Sequence, residues 1–321
     1  MRRRKKPLGQ FVIPLIVGGA AITAIDLARR VFRHVRLFCP SPLPMKSWDP
    51  ADYGIPRQAV QDHWIETPDG ELLHAWYCRS PRPIASAVYC HGNTGNLTLT
   101  ADVIPHFLDA GINVLYFDYR GFGRSSGIPS INGIVADGLT AARFHDRIRP
   151  KGLPSILYGY SLGGAVAAQV IKRHPFDGLI LQSTFTSLPA ITRVTFPRTP
   201  MHLFAGNLFD TIGVVKRLTI PLLVVHGGSD EVVPCSMAHE LFDACKGRKH
   251  IEIVEGGLHK DLYTRDCDSL VWAVNRFATE LPHSTRAIPL EPVSDDDDLL
   301  NTALRYIRRR LRHRTVMPQP L

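Results

Sequence analysis

The sequence predicts an α/β protein: a mostly parallel, doubly wound sheet of about eight strands, carrying a short helical flap and no large cap domain. Three observations carry this. Two strand-like runs, Val60–Glu66 and Leu72–Cys78, are joined by Pro68-Asp69-Gly70, a turn signature. Beyond them, short apolar runs alternate with helix-length stretches, the pattern of repeated β-α units. Finally, the apolar run Ser155–Tyr160 meets a glycine-flanked serine and passes at once into a helical pattern at Ala165, Val166, Ala167, Ala168, Val170 and Ile171.

In chain order, the N-terminus opens with Arg2-Arg3-Arg4-Lys5-Lys6, followed by an apolar run from Leu8 to Ile25 that is interrupted by Gln10 and softened by Pro14 and Gly18-Gly19. Its eighteen residues approach the roughly 20 that cross a bilayer. Arg29, Arg30, Arg33 and Arg36 follow directly, a poor context for cleavage and export. Residues 1–36 therefore read as a basic-flanked, single-pass membrane anchor, with a peripheral helix and a cleaved signal as the alternatives. The basic residues on its two sides are nearly equal in number, so orientation is not fixed. A Pro-rich connector, Cys39-Pro40-Ser41-Pro42-Leu43-Pro44, leads into the main domain, 37–283. Strands are expected at Ala85–Cys90, Asn113–Asp118, Ser155–Tyr160, Gly178–Gln182, Pro221–His226 and His250–Val254, and helices near 97–110, 131–148, 162–174, 236–246 and 267–280. In the tail, 284–321, Asp295–Asp298 precede Leu300, Leu304, Ile307 and Leu311 at helical spacing among five arginines. That pattern suits a basic amphipathic helix, either solvated or resting on anionic lipid.

The net charge of +9 belongs to the ends: residues 1–36 hold nine Lys/Arg against one acid, whereas 37–283 holds 22 basic and 23 acidic residues. A near-neutral domain without a basic-aromatic stripe argues against a nucleic-acid partner. Six cysteines are dispersed with no C-x-x-C pair, so neither a metal site nor a redox motif is indicated, and no cofactor is expected.

The chemistry centres on Gly159-Tyr160-Ser161-Leu162-Gly163. Strand, sharp turn and helix form the context in which a G-x-S-x-G serine is presented at the tip of a strained turn. A serine hydroxyl is a poor nucleophile unless a base lies within hydrogen-bond reach and a third group orients that base. His259, in the Gly256-Gly257 turn after the last strand, is the candidate base. Asp230, in the loop after the penultimate strand, is the candidate orienting acid, with Glu231 an adjacent competitor. The backbone N–H groups of Asn93 and Leu162 are the candidate donors to a developing oxyanion. His91 ends a strand and reads as a loop anchor. Asn96-Leu97-Thr98 is a formal glycosylation sequon too close to the site to be used. The glycine-rich stretch 118–127 lacks a phosphate-loop ending and reads as a structural turn.

Taken together, HGNTGN at 91–96, DYRGFGRSSG at 118–127, GYSLGG at 159–164, HGGSDEVVP at 226–234 and the late His259 resemble the α/β-hydrolase-fold serine hydrolases, and specifically the membrane-anchored abhydrolase-domain group. The resemblance covers roughly residues 50–280 and includes the order Ser161, Asp230, His259. One departure is Gly-Gly-Leu-His, where relatives usually have Gly directly before His. The resemblance implies an esterase, thioesterase, lipase or, less often, a peptidase acting on acyl compounds.

Between the strands at 178–182 and 221–226, a flap carries Phe185, Leu188, Ile191, Val194, Phe196, Met201, Leu203, Phe204 and Phe209. These side chains suit either core packing or an apolar acyl slot. The expected activity is hydrolysis of carboxylic esters or thioesters of small-molecule or lipid acyl substrates. An amidase or peptidase using the same residues, and a catalytically inactive membrane-attached interaction protein, are the alternatives.

Overall fold

Apolar runs with no polar alternation imply strands buried on both faces, and the structure forms a sheet of that kind. A computed structural model of the chain describes residues 37–198 and 209–282. The anchor expected at 1–36 and the tail at 284–321 lie outside them. Eight strands form the main sheet: β1 (Val60–Glu66), β2 (Leu72–Cys78), β3 (Ala85–Cys90), β4 (Ile112–Phe117), β5 (Ser155–Tyr160), β6 (Gly178–Gln182), β7 (Leu222–Gly227) and β8 (Lys249–Val254). Their spatial order is β1-β2-β4-β3-β5-β6-β7-β8. Only β2 runs against the others, pairing antiparallel with both β1 and β4.

Successive side chains along each strand go to opposite faces. Val88 and Leu157 pack with Ile134, Ala141 and Val166 on one side. Tyr89 and Tyr158 pack with Phe107, Val274 and Phe277 on the other. The first face is covered by helices α2 (Ile131–Ile148) and α3 (Leu162–Ile171), and the second by α1 (Ile104–Asp109) and α8 (Cys267–Thr279). Helices α4 (Leu188–Thr195), α5 (Thr211–Val215), α6 (Cys235–Ala244) and α7 (Leu262–Arg265) complete the described set. The helix expected at 97–110 is divided: a 3-10 segment, Leu97–Val103, precedes α1, and Thr100 within that segment leaves helical geometry at φ −126°. Helices α5 and α7 are too short to show a period in the sequence.

From β3 the chain moves to β4 on one side and then to β5 on the other, so β3 and β5 are neighbours whose following loops diverge. Open α/β sheets gather ligands at that switch. The register sets Cys90 opposite Gly159, which brings the loop after β3 beside the turn after β5.

The stretch at 118–127 forms a turn tied down by Arg120. Its guanidinium donates two bonds to Asp137 Oδ1 at 2.7 and 2.9 Å and one to Asp69 Oδ2 at 2.7 Å. The Arg120 backbone N–H donates to the other Asp137 oxygen at 2.9 Å. One side chain thus joins the β1–β2 hairpin, the turn after β4 and helix α2. Asp137 is fully buried, so removing its partner strands a charge. Arg120→Ala is expected to cost about 3–5 kcal/mol, read as a lowered urea midpoint. A loss below about 1 kcal/mol would mean that Asp137 takes up a proton at little cost.

Candidate active site

Strand β5 delivers Ser161 in a conformation that an L-residue rarely adopts, φ 54° and ψ −119°. Neighbouring contacts hold it there: its N–H donates to Gln182 O at 2.9 Å, and its carbonyl accepts from Thr184 Oγ1 at 2.6 Å. The flanking glycines are sterically required. A Cβ on Gly163 would stand 1.9 Å from the Cys90 carbonyl oxygen, and one on Gly159 would stand 2.4 Å from Gly164 Cα.

The late loop brings His259 to this serine, with Nε2 3.0 Å from Ser161 Oγ. Nδ1 lies 2.8 Å from Asp230 Oδ2. Because Nδ1 faces a carboxylate it carries the proton, and Nε2 is left to accept from the serine hydroxyl. Asp230 is itself enclosed: Oδ1 accepts the N–H groups of Val232 and Val233, each at 2.8 Å. His226, at the end of β7, sets Nε2 2.9 Å from Val233 O and 3.3 Å from Asp230 Oδ2. Burial pushes the Asp230 carboxyl toward protonation, but the hydrogen bonds from His226 and His259 and the Val233 amide outweigh it, holding it well below the usual carboxylate range. Glu231, the expected competitor, does not meet the imidazole and accepts the His259 backbone N–H at 3.2 Å. Tyr160 also fixes this loop, donating its hydroxyl to His259 O at 3.1 Å.

The loop after β3 passes close to Ser161, since a Cβ on Gly92 would lie 3.6 Å from Ser161 Cβ. Leu162 is the first residue of α3, where a backbone N–H has no intrahelical acceptor. The Asn93 N–H makes no backbone bond among the described residues outside helices and strands. His91 is buried and donates from Nδ1 to Gly92 O at 2.8 Å. Burial lowers its imidazole pKa, against the opposing pull of Asp118. It anchors the loop, as the sequence suggested. Asn96 is also buried, its Nδ2 donating to Ser41 O and Leu43 O at 2.9 and 2.8 Å.

Those last contacts correct the reading of residues 39–44 as a connector. Cys39–Pro40 pairs in parallel with Thr94–Gly95, and Cys39 N–H donates to Asn93 O at 2.7 Å. The segment is a strap across the loop that carries one candidate oxyanion donor. Nothing local in Pro-Ser-Pro announces a partner more than fifty residues away. His226 and Thr184 were also missed; a histidine four residues before the acid was the available signal for the first.

A cavity of about 330 Å³ opens over Ser161. Of the expected flap residues, Phe185, Leu188, Ile191 and Phe196 line it. Val194 instead faces solvent and Phe209 is buried in the core. Met201, Leu203 and Phe204 lie outside the described residues. No helix among the described residues is long and apolar enough to cross a membrane.

A mostly parallel eight-stranded sheet with its second strand reversed, turning through a strained serine into a helix, is the α/β-hydrolase fold. The family profile described as "Serine aminopeptidase, S33" matches residues 81–214, which include Asn93, Ser161 and Leu162. "Uncharacterized protein MT2364" of Mycobacterium tuberculosis is 31% identical over 281 residues, 87% of this chain and 97% of the relative. Human "Alpha/beta hydrolase domain-containing protein 17B" is 29% identical over 211 residues, 64% of this chain and 71% of the relative. The Pyrococcus furiosus esterase Pf2001 superposes with a TM-score of 0.61 at 20% identity, over 77% of this chain and 99% of its own. The chain belongs to the α/β-hydrolase family and is a hydrolase.

If Asn96 holds the strap, Asn96→Ala will speed hydrogen exchange at the Cys39 and Ser41 amides and lower stability by about 1–3 kcal/mol. Unchanged exchange at both amides would mean that the backbone pairing alone secures the segment.

Proposed function

We propose that this protein is a serine hydrolase that cleaves carboxylic esters or thioesters of acyl substrates. The observation that carries the reading is the continuous line from Asp230 through His259 to Ser161, with both contacts at hydrogen-bond length. Ser161 Oγ attacks the acyl carbon while His259 Nε2 takes its proton. The carbonyl electrons move onto oxygen, which is met by the N–H groups of Asn93 and Leu162 at the N-terminus of α3. As the tetrahedral species collapses, His259 returns the proton to the departing alcohol or thiol, leaving an acyl-enzyme. A water molecule then repeats the sequence, and the acid is released. Asp230 stays ionised throughout and steadies the imidazolium.

The description of the matching family profile favours a second reading, an aminopeptidase. Such an enzyme must pair its substrate's ammonium group with an acid. The described cavity lining includes no Asp or Glu, and its only Lys or Arg is Lys260. That balance favours the ester reading over the amine-binding one, and the line of three residues disfavours an inactive interaction protein. Domain 37–283 is proposed as the catalytic unit, and 1–36 as its membrane anchor. Leu37, which follows that segment in sequence, lines the cavity, and a membrane anchor on its N-terminal side would suit lipid or acyl-protein substrates.

Ser161→Ala is expected to abolish labelling by a fluorophosphonate probe and turnover of p-nitrophenyl esters, while stability changes by less than about 1 kcal/mol. Asp230→Asn should lower kcat by roughly three to four orders of magnitude, because the amide favours the wrong tautomer of His259. A loss of tenfold or less would transfer the role of acid to Glu231.

Acyl-chain preference tests the apolar lining. At about 30 Å³ for each water-sized group, the cavity takes on the order of ten chain atoms. Each buried methylene contributes up to about 0.8 kcal/mol. In a series from two to sixteen carbons, kcat/KM is expected to rise from acetyl toward medium chains. A monotonic fall beyond four carbons would exclude an acyl slot and leave a small-ester hydrolase.

A further inference from the structure

The cavity has two chemically different sides. Toward α4 it is walled by Leu188, Ile191 and Phe196, and toward the late loop it ends at His259 and Lys260. Lys260 is exposed, and its Nζ makes no hydrogen bond or ion pair among the described residues. The acids around it are engaged elsewhere. Asp261 accepts from the Leu258 N–H at 2.6 Å and from Arg265 at 3.0 Å. Glu231 accepts the His259 N–H, and Asp230 is enclosed by His226 and His259. Lys260 therefore lines the cavity as an exposed cation with no counterion among the described residues.

The chemistry says which part of the substrate it faces. His259 must hand its proton to the departing oxygen or sulfur, so the leaving group lies on the His259 side and the acyl chain on the other. Lys260 is the next residue and lines the same wall. Resting on the ester-hydrolase reading above, we propose that Lys260 forms a subsite for an anionic leaving group, an alcohol or thiol bearing a phosphate or carboxylate. The favoured substrate is then amphipathic: an apolar acyl chain on one side of the scissile bond and a negative charge on the other. A lysine suits this role as a flexible point charge that needs no fixed approach angle. Such a group occurs on phospholipid headgroups and on water-soluble acyl carriers alike.

Two matched pairs of octanoyl esters test this with the full chain. In the soluble pair the leaving group is 3-hydroxybenzoate or its neutral isostere 3-hydroxybenzamide. In the lipid pair it is glycerol 3-phosphate or glycerol, both assayed as monomers. The wild type is expected to favour the anionic member by about two- to fivefold in kcat/KM, the range of a solvent-exposed ion pair. The preference should appear in KM and shrink as salt is raised. Lys260→Gln should bring the ratio to about one, and Lys260→Glu should invert it. Preference in the lipid pair assigns the charge to a headgroup; preference in the soluble pair alone assigns it to a soluble carrier. Both support the subsite. A wild-type ratio near one, or a ratio unmoved by both substitutions, overturns it while leaving ester hydrolysis standing. Failure to turn over any of the four esters, with no fluorophosphonate labelling of Ser161, overturns the hydrolase reading instead.

Discussion

Helix α3 begins hard against the end of β3, where Gly163 leaves no room for a side chain against the Cys90 carbonyl. The arrangement at the site depends on that contact. It forces the chain to reverse within a single residue after β5, which places Ser161 at φ 54°. It also sets the start of α3 against the loop that leaves β3, where a Cβ on Gly163 would lie 2.6 Å from His91 O. A helix set further back would relax the serine, but it would draw the start of α3 away from the loop that carries Asn93. Backbone strain at Ser161 and the nearness of α3 to the loop after β3, on which the proposed pair of oxyanion donors relies, thus share one packing contact.

Strain of this kind persists only where the surroundings over-determine it. Behind the turn, Gln182 and Thr184 hold the Ser161 backbone from β6 and the loop after it. In front, the loop from His91 to Asn96 is held from three directions. Asp118 Oδ1 accepts the Leu97 N–H at 2.6 Å, Tyr119 donates to His91 O at 3.2 Å, and the 39–41 strap pairs along its outer edge. None of these groups touches the position a substrate would take. Their effect is to hold the loop that carries Asn93, the proposed oxyanion donor, before anything binds, and a donor that need not reorganise is worth most in a low-dielectric site.

Much of this was legible in the sequence because punctuation and pattern agreed. Pro68-Asp69-Gly70 and Gly159 through Gly163 mark turns that only certain backbones make, and the runs between such marks were long enough to identify. The strands 60–66, 72–78, 85–90, 155–160 and 178–182 fall at the bounds read from sequence. What escaped detection depends on distant partners. The pairing of Cys39–Pro40 with Thr94–Gly95 uses backbone atoms, which leave no side-chain signature. The flap shows a different limit. Phe196 lines the cavity and Phe209 is buried in the core, yet both are phenylalanines in one apolar stretch. Hydrophobicity reports removal from water and cannot distinguish a filled interior from a slot awaiting a ligand.

The two adjacent acids after β7 show how backbone geometry divides roles between similar side chains. Asp230 has a short stem, and the turn curls over it so that two amides and two imidazoles converge on one carboxylate. Charge buried without such donors would be expelled or protonated. Here the donors keep it ionised, even though its side chain is entirely shielded from solvent. Glu231, one residue on, points outward and takes a backbone N–H of the His259 loop. It steadies that loop without competing for the ring. His226 makes the difference: by donating from Nε2 toward both Val233 O and Asp230 Oδ2, it ties the turn to the carboxylate that the turn encloses. Which carboxylate meets the His259 ring is therefore decided by which one the end of β7 can enclose, and sequence adjacency alone carries no such information.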